Sequence, residues 1–253
     1  MNRKRNEILE RRRRLLEMIR RTSDGELNVA QAAEQLGISP VTLRRDLTQL
    51  EAEGRVRRSY GRVSMTEEAP AWEDPSRSVR NRIALAAAAM VEPGDVIYLN
   101  ADRLALRMLP YIEAPNVTVI TNSALAAALP HRGDLNLILT GGEVRYPRYA
   151  MTGSVTRQLL QSVQANKAFL GCDGLSVERG VSVDQLALAA VDWLMLSRVG
   201  GQAWLLATHD RLGRDANFVC GGLELIRELI TDRDAAPEQL QPLRDAGLRI
   251  RPV

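Results

Sequence analysis

Apolar residues recur at the helical spacing of three or four positions in the first fifth of the chain, which predicts three helices. The first spans residues 6–21, the second residues 29–36, and the third begins at Pro40 and stops before Gly54. Ser39 is placed to cap the third helix, and Pro40 loses no hydrogen bond in its first turn. A tight turn at Gly37 followed by a well-specified helix start is typical of a helix-turn-helix.

The third helix has an apolar face and a polar face. Leu43, Leu47 and Leu50 form the stripe that is expected to be buried. A pair of arginines on the other face suits the major groove of DNA, because a guanidinium grips phosphate and donates two hydrogen bonds to guanine. The predicted DNA-contacting residues of this region are Ser39, Pro40, Val41, Thr42, Arg44, Arg45 and Thr48.

Basic residues continue after the third helix. The segment 55–63 alternates valine with arginine around Tyr60-Gly61 and predicts a short β-hairpin, the wing of a winged helix. Its predicted contacts to the phosphate backbone are Arg57, Arg58, Tyr60 and Arg62. The arginines at 11–14 in the first helix have two interpretations, a solvated face or phosphate contacts, and the first is favoured because charge runs are common on helix surfaces.

The remainder of the chain alternates short apolar runs with helical patterns, which predicts a mostly parallel sheet covered by helices on both faces. The predicted strands are 96–99, 117–120, 135–139, 167–170, 203–207 and 229–232. The predicted helices between them are 80–91, 104–109, 123–129, 155–163 and 184–197. A closing helix and strand follow from Pro237. The fold class is therefore α/β, a winged helix-turn-helix followed by a Rossmann-like domain.

Charge separates the two parts. Residues 1–62 hold 15 Lys and Arg against 9 Asp and Glu, whereas the rest holds 19 against 22. The positive charge lies where the helix-turn-helix lies, as nucleic-acid binding requires. The predicted domains are residues 1–63 for DNA binding, 64–77 as a polar, proline-containing linker, and 78–253 for effector binding and oligomerisation.

Small ligands bind parallel sheets beyond the carboxyl ends of the strands, where turns and helix starts present free amides. Five such strand ends carry polar or glycine-containing turns. The predicted effector-binding residues are Asn100, Asp102, Arg103, Thr121, Asn122, Ser123, Gly141, Gly142, Asp173, His209 and Arg211. Ordinary caps and turns are the alternative interpretation of any one of these segments.

Several classes of chemistry find no support in the composition. The two cysteines, Cys172 and Cys220, form no CxxC pair and predict buried thiols, with no metal site and no disulfide. Neither His131 nor His209 has a recognisable orienting partner, so no catalytic residue and no cofactor is predicted. The longest apolar run, residues 83–91, is too short to cross a bilayer, and we expect a cytoplasmic protein that does not bind membranes.

The motifs resemble those of the DeoR family of bacterial transcriptional regulators. In the predicted DNA-binding domain these are Leu36-Gly37-Ile38-Ser39 and Thr42-Leu43-Arg44-Arg45-Asp46-Leu47, followed by Gly54 and a basic wing. In the second domain they are Thr121-Asn122-Ser123, Gly141-Gly142, Asp173-Gly174 with Gly180, and Leu212-Gly213. The wing departs from the family's His-Gly-Gly with Tyr60-Gly61-Arg62, and Arg211 stands where the family has lysine.

The resemblance implies a sensor domain that shares its fold with sugar-phosphate isomerases and recognises a phosphorylated sugar. One loop departs from that pattern. Where the family has Asp-x-Gly-Thr-Thr, this chain has Asn100-Ala101-Asp102-Arg103-Leu104, so a carboxylate replaces the glycine and both hydroxyls are missing. The hypothesis is that the effector is unusual for the family. It is a ligand whose anionic group is placed differently or a ligand without phosphate, or the protein has no effector.

The resulting expectation is a homodimeric or homotetrameric regulator that binds a double-stranded DNA operator. It is expected to repress carbohydrate-metabolism genes and to respond to a sugar or sugar phosphate. Two alternatives stay open at this point. They are a DNA-binding regulator with a degenerate sensor, and an isomerase-type enzyme built on the shared fold.

Overall fold

A computed structural model describes most of the chain, which divides into two compact units, Met1–Trp72 and Glu73–Val253. The described residues are 11–12, 14–19, 22, 26–52, 56–59, 62–65, 79–146, 148–200 and 202–253. Tyr60, Gly61, the side chains of Arg57 and Arg58, and linker residues 66–77 lie outside this description. Among the described residues, no helix combines the length and the apolar character that crossing a bilayer requires.

The N-terminal unit is a winged helix-turn-helix, as predicted. Residues 11–12 and 14–19 are helical. They are followed by β1 (Glu26–Asn28), α1 (Val29–Gln35), α2 (Pro40–Ala52), β2 (Val56–Ser59) and β3 (Arg62–Met65). β3 lies between β1 and β2 and pairs antiparallel with both. The Ser59↔Arg62 pairing is the last of the β2–β3 register.

Side-chain caps fix where the two helices of this motif begin. The Asn28 side chain accepts hydrogen bonds from the N–H groups of Ala30 and Gln31 at the start of α1. Ser39 Oγ accepts one from the N–H of Thr42, at 3.1 Å, at the start of α2. The apolar stripe of α2, Leu43, Leu47 and Leu50, is fully buried. Because this stripe packs into the core, the other face of α2 is exposed to solvent.

The arginine run of the first helix has a structural role that the sequence interpretation missed. Arg11 Nε lies 2.6 Å and Arg12 Nε 3.1 Å from the carboxylate of Asp46, which is buried on α2. A buried carboxylate requires such partners, because burying an unpaired charge is costly. The preference for a solvated face is thus wrong for Arg11 and Arg12, which hold the first helix against α2.

The C-terminal unit is built on a seven-stranded parallel sheet with the order β15-β14-β12-β9-β4-β5-β6. Its strands are β4 (Val96–Leu99), β5 (Thr118–Thr121), β6 (Asn136–Leu139), β9 (Lys167–Gly171), β12 (Ala203–Leu206), β14 (Glu228–Thr231) and β15 (Arg249–Pro252). The helices are α3 (Val79–Ala88), α4 (Arg103–Leu106), α5 (Ser154–Ser162), α6 (Leu186–Ser197) and α7 (Pro237–Asp245). The predicted α/β class is confirmed.

Alternate residues of the central strands point into two separate cores, as the two-residue period of a strand dictates. Ile97 and Leu99 join α3 and the stacked rings of Phe169 and Trp204 on one face. Tyr98 joins the apolar residues of α6 on the other face. Both faces of the sheet are therefore covered, and its carboxyl edge is left for loops.

Two predicted helices and two small sheets differ from expectation. Residues 124–128 form a 3-10 helix, and the predicted helix 104–109 divides into α4 and a 3-10 turn at Leu109–Tyr111. Pro110 in that turn has no N–H to continue an α-helix. The unpredicted antiparallel strands are β7 (Glu143–Arg145), β8 (Ala150–Thr152), β10 (Gly174–Ser176), β11 (Gly180–Val183) and β13 (Phe218–Gly221). They form a β7-β8 hairpin and a β10-β11-β13 sheet.

Candidate functional site

The outer face of α2 carries the predicted DNA-contacting residues. Val41 is 72 % exposed, and Arg44, Arg45 and Thr48 are exposed on the same face. The Thr48 hydroxyl donates to the carbonyl of Arg44 at 2.9 Å, so it is already engaged within the helix. Arg44 and Arg45 are therefore both accessible on the outer face of α2.

The wing contributes further positive residues. Arg62, at the start of β3, is exposed, and the backbones of Arg57 and Arg58 lie in β2 opposite Ser64 and Val63. α2 and the β2–β3 hairpin therefore belong to one unit with a shared core that contains Val56 and Val63. Contact of any of these residues with DNA stays a prediction.

The second candidate site lies at the carboxyl edge of the parallel sheet. The register pairs Leu99 of β4 with Thr121 of β5 and with Phe169 of β9. Because all three strands are parallel, the residues that follow them meet at one edge. This arrangement brings together Asn100, Asp102, Asn122, Ser123 and Asp173, which we call the strand-edge site.

Asn100 links three elements at the centre of the strand-edge site. Its Nδ2 donates to the carbonyl of Gly171 at 2.9 Å and to Asp192 Oδ2 of α6 at 3.1 Å. Its Oδ1 accepts from the N–H of Gly171 at 3.0 Å. The side chain therefore uses both ends of its amide within the protein, which indicates a positioning role for Asn100.

Asp102 caps α4 with its own carboxylate. Asp102 Oδ1 accepts from the N–H of Leu104 at 2.7 Å and from that of Ala105 at 3.4 Å. Gly171 packs against it, since a Cβ at position 171 would overlap Asp102 Oδ1. Burial raises the pKa of Asp102, whereas the nearby charge of Arg148 opposes that rise. The backbone N–H groups of Leu104 and Ala105 are therefore occupied by Asp102.

The carboxylate of Asp173 forms ion pairs with two guanidinium groups. Arg148 Nη2, from the loop of the β7-β8 hairpin, lies 2.5 Å from Asp173 Oδ1, and Arg211 Nη1 lies 3.6 Å from the same atom. Asp173 Oδ2 accepts from the N–H of Asp184 at 2.9 Å. Burial lowers the pKa of Arg148, but the attraction of Asp173, Asp102 and Asp192 outweighs it and leaves the pKa raised. The pairs hold the hairpin loop to the strand edge.

Asn122 and Ser123 are fully buried at the end of β5. Asn122 Nδ2 donates to the carbonyl of Met151, and the N–H of Ser123 donates to Thr121 Oγ1. Asn122 Oδ1 and Ser123 Oγ form no hydrogen bond with the residues that the structure describes. The predicted segment Thr121-Asn122-Ser123 therefore holds one residue whose side chain is satisfied and two with an unused oxygen.

Gly141 and Gly142 have a packing reason to be glycine. Both have positive φ, and a Cβ on Gly142 would overlap the carbonyl oxygen of Thr152 and crowd Thr156. Thr156 Oγ1 in turn donates to the carbonyl of Gly141 at 2.5 Å. The pair lets α5 and β8 approach the end of β6, and its contact with an effector stays a prediction.

His209 has an orienting partner that the sequence interpretation did not identify. Its ring Nδ1 lies 2.8 Å from Asp232 Oδ1, and its backbone N–H donates to Asp232 Oδ2. His209, Asp232 and Asp234 offer ligand atoms within 4.8 Å of one another. Both oxygens of Asp232 already accept N–H groups, because Asp234 N also donates to Oδ1. The cluster is explained as a hydrogen-bonded turn at the end of β14.

Arg148 and Asp192 are the site residues that sequence reasoning missed. Arg148 lies in a hairpin loop with no periodic pattern. Asp192 did have a signal, because it is the one acidic residue within the apolar helix Leu186–Ser197. Burial raises its pKa to about 8, against the lowering effect of the Asn100 hydrogen bond. Burial likewise raises the pKa of both buried thiols, Cys172 and Cys220, which keeps them protonated.

A winged helix-turn-helix and an α/β unit in one chain define a DNA-binding regulator with a second, sensor-type domain. Family models match both parts: the DeoR-like helix-turn-helix domain over residues 11–69 and the DeoR C terminal sensor domain over residues 76–233. The chain belongs to the DeoR family of transcriptional regulators.

Curated relatives agree over nearly the whole length. The HTH-type transcriptional regulator YulB of Bacillus subtilis is 28% identical and covers 97% of this chain and 97% of that protein. UlaR of Escherichia coli O127:H6 is 30% identical over 94% of this chain and 96% of that protein. A putative aga operon transcriptional repressor of Escherichia coli O157:H7 is 26% identical over 95% and 92%. These relatives are regulators, so the enzyme alternative is set aside.

Proposed function

We propose that this regulator is a repressor of carbohydrate-metabolism genes whose operator binding is changed by a small sugar-derived effector at the strand-edge site. The observation that carries DNA binding is the exposed face of α2, with Arg44 and Arg45 opposite a fully buried leucine stripe. The relative described as a putative aga operon transcriptional repressor supports repression as the outcome.

Effector binding is supported by the composition of the strand-edge site. Polar side chains from three adjacent parallel strands meet there, and two of them keep a buried oxygen without a partner among the described residues. Natural proteins leave few such atoms unsatisfied, and those that persist often mark a place for a ligand or an ordered water. A ligand changes DNA affinity only if it binds two arrangements of the protein unequally.

The test is binding of the purified full chain to its own upstream DNA by fluorescence anisotropy at physiological salt. We expect affinity about 10³-fold or more above that for scrambled DNA of equal length. Free sugars and sugar phosphates are then titrated in, and at least one is expected to weaken binding by about tenfold, the scale of an ordinary allosteric coupling. Equal affinity for both DNAs would contradict operator recognition. Specific binding that no sugar changes would support a regulator with a degenerate sensor.

We further propose that the regulator acts as a homo-oligomer, since one recognition helix and one wing read a single half-site. A groove of about 390 Å³ on the sensor domain suits a second copy of the chain. The apolar residues Leu186, Trp193, Leu194 and Val219 line it, and the polar residues Arg157 and Gln161 line it as well. Trp193 is 52 % and Leu186 65 % exposed. Large exposed apolar side chains beside polar groups are typical of an interface.

Trp193→Glu is expected to dissociate the oligomer, because an interface core disfavours an unpaired charge. Light scattering after size exclusion should give two or four times the chain mass of 28.0 kDa for the wild type and the single-chain mass for the variant. Val177→Glu places the same charge on another exposed apolar residue, outside the groove, and serves as the matched control. An unchanged mass for Trp193→Glu would exclude this groove as the interface.

A further inference from the structure

The two outermost strands of the seven-stranded sheet differ in how they are protected. Among the described strands, β15 and β6 each have a neighbour on one side only. Arg249 and Arg251 are exposed on β15. Val253 donates its N–H to β14, so position 252 faces away from the sheet, and Pro252 offers no N–H there. Charged residues and proline keep an edge strand from pairing with another chain, so β15 is a protected edge.

β6 has neither kind of protection. Its residues are Asn136, Leu137, Ile138 and Leu139, none of which is charged or proline. The N–H groups of Asn136 and Thr140 donate to β5. Because successive N–H groups of a strand point to opposite sides, those of Leu137 and Leu139 point away from β5, where no strand of the described part of the chain pairs with them. The strand therefore offers backbone donors and acceptors to a further strand.

Exposed apolar side chains accompany this strand. Leu139 is 37 % and Val155 54 % exposed. The two are close, because a Cβ on Gly141, two residues after Leu139, would lie 3.5 Å from Val155 Cγ1. Val144 and Tyr146 of the same part of the chain are exposed as well. Such side chains grouped on a surface mark an interaction site. The strand β6 together with Leu139 and Val155 is called the β6 edge.

We infer that the β6 edge pairs with the β6 edge of a second copy of the chain, as a subunit contact in addition to the groove around Trp193. A twofold axis brings the same strand to both sides of the contact, so the two strands run antiparallel and each meets the other's outward N–H and C=O groups. Because β6 carries no charge, two copies meet without repulsion along the strand. The inference rests on the proposed homo-oligomer and adds a second surface to it.

The size of the β6 edge determines what it can assemble. A stable interface uses about 20–30 residues on each side, whereas β6 has four residues, so one such contact is too small to hold two chains by itself. Two groove dimers that associate with dihedral symmetry form two β6 contacts at once, and the two contacts reinforce each other. The expected assembly is a tetramer, in which the groove holds each dimer and the β6 edges join the dimers.

Both surfaces can be occupied in the same assembly. Arg157 lines the groove, and Val155 belongs to the β6 edge. These residues are two positions apart on α5, and two steps of an α-helix turn the side chain by about 200°. They therefore lie on opposite sides of that helix.

The first test is the mass of the full chain by light scattering after size exclusion. The wild type is expected at four times the chain mass of 28.0 kDa. Leu139→Glu brings two like charges together across the twofold axis and is expected at twice the chain mass. Leu85→Glu places the same charge on an exposed apolar residue of α3, serves as the matched control, and should keep the wild-type mass. A wild-type mass of twice the chain, or an unchanged mass for Leu139→Glu, would overturn the inference.

A second variant leaves the strand itself unaltered. Val155→Glu lies in the first turn of α5, where the helix dipole favours a negative charge, so the fold should persist while the mass falls to twice the chain. Amide hydrogen exchange of a peptide that covers β6 is then compared by mass spectrometry. Exchange should be slower in the wild type, because pairing protects the N–H groups of Leu137 and Leu139. Equal exchange in wild type and variant would contradict strand pairing.

The two surfaces can fail separately in these measurements. A single-chain mass for Trp193→Glu with an unchanged mass for Leu139→Glu would overturn the β6 contact and leave the groove as the interface. An unchanged mass for Trp193→Glu with a halved mass for Leu139→Glu would overturn the groove and support the β6 contact.

Discussion

Replacing Arg44 or Arg45 by alanine is expected to weaken binding to the preferred operator by about 1–3 kcal/mol, or about 5- to 140-fold. Both side chains are exposed on the face of α2 opposite Leu43 and Leu47. An arginine that binds guanine through two hydrogen bonds loses more affinity for the correct base than for others. Binding to a set of operators with single base changes should therefore show relaxed preference at one position for each variant.

Arg57→Ala and Arg58→Ala are expected to behave differently from the α2 variants. A wing arginine that contacts phosphate contributes equally on every sequence, so its loss should lower affinity for operator and scrambled DNA alike and reduce the salt slope by about one. Arg249→Ala removes the same charge from an exposed position in the other unit and controls for net charge. If all four arginine variants changed base preference and salt dependence in the same way, the division into base-reading and phosphate-binding residues would be contradicted.

The elements that the sequence predicted well are those with a strong periodic pattern. The strand Val96–Leu99 and the start of α2 at Pro40 were placed correctly because buried strands and capped helices have local signals. The short antiparallel strands were not predicted, because a three-residue strand such as Gly174–Ser176 is too short to show an alternating apolar and polar pattern. Local pattern therefore indicated the parallel sheet and missed the smaller sheets beside it.

The strand-edge site was predictable as a location and only in part as a set of contacts. Parallel strands must end at one edge, so Asn100, Asn122 and Asp173 were brought together as expected. Their pairing was not predictable, since Arg148 reaches Asp173 from a hairpin loop 25 residues away. The structure also assigns Asp102 as the cap of α4, a role its replacement of the family's glycine does not reveal.

Asp192 is a buried acidic residue beside the strand-edge site. It is 3 % exposed within an apolar helix, and burial raises its pKa to about 8 from the ordinary value of 3.8. The groups around it are Asn100, which donates a hydrogen bond, the cation Arg148, and the acids Asp102 and Asp173. One cation nearby does not compensate for the loss of water around this carboxylate. The protonated form is therefore the one that the folded protein holds at neutral pH.

Asp192→Asn is accordingly expected to stabilise the sensor domain, and increasingly so as pH rises. Between the ordinary pKa and about 8, the unfolded chain has released a proton that folded Asp192 still binds, so wild-type stability falls through this window. The amide never ionises and can still accept the Asn100 hydrogen bond. The advantage of the variant in urea unfolding, followed by the buried Trp204, should grow by roughly 2–4 kcal/mol between pH 5 and pH 8. Asp184→Asn, at an exposed position, should show no such trend. An advantage for Asp192→Asn that is the same at both pH values would mean that Asp192 is ionised in the folded protein, and that Arg148 compensates for its charge after all.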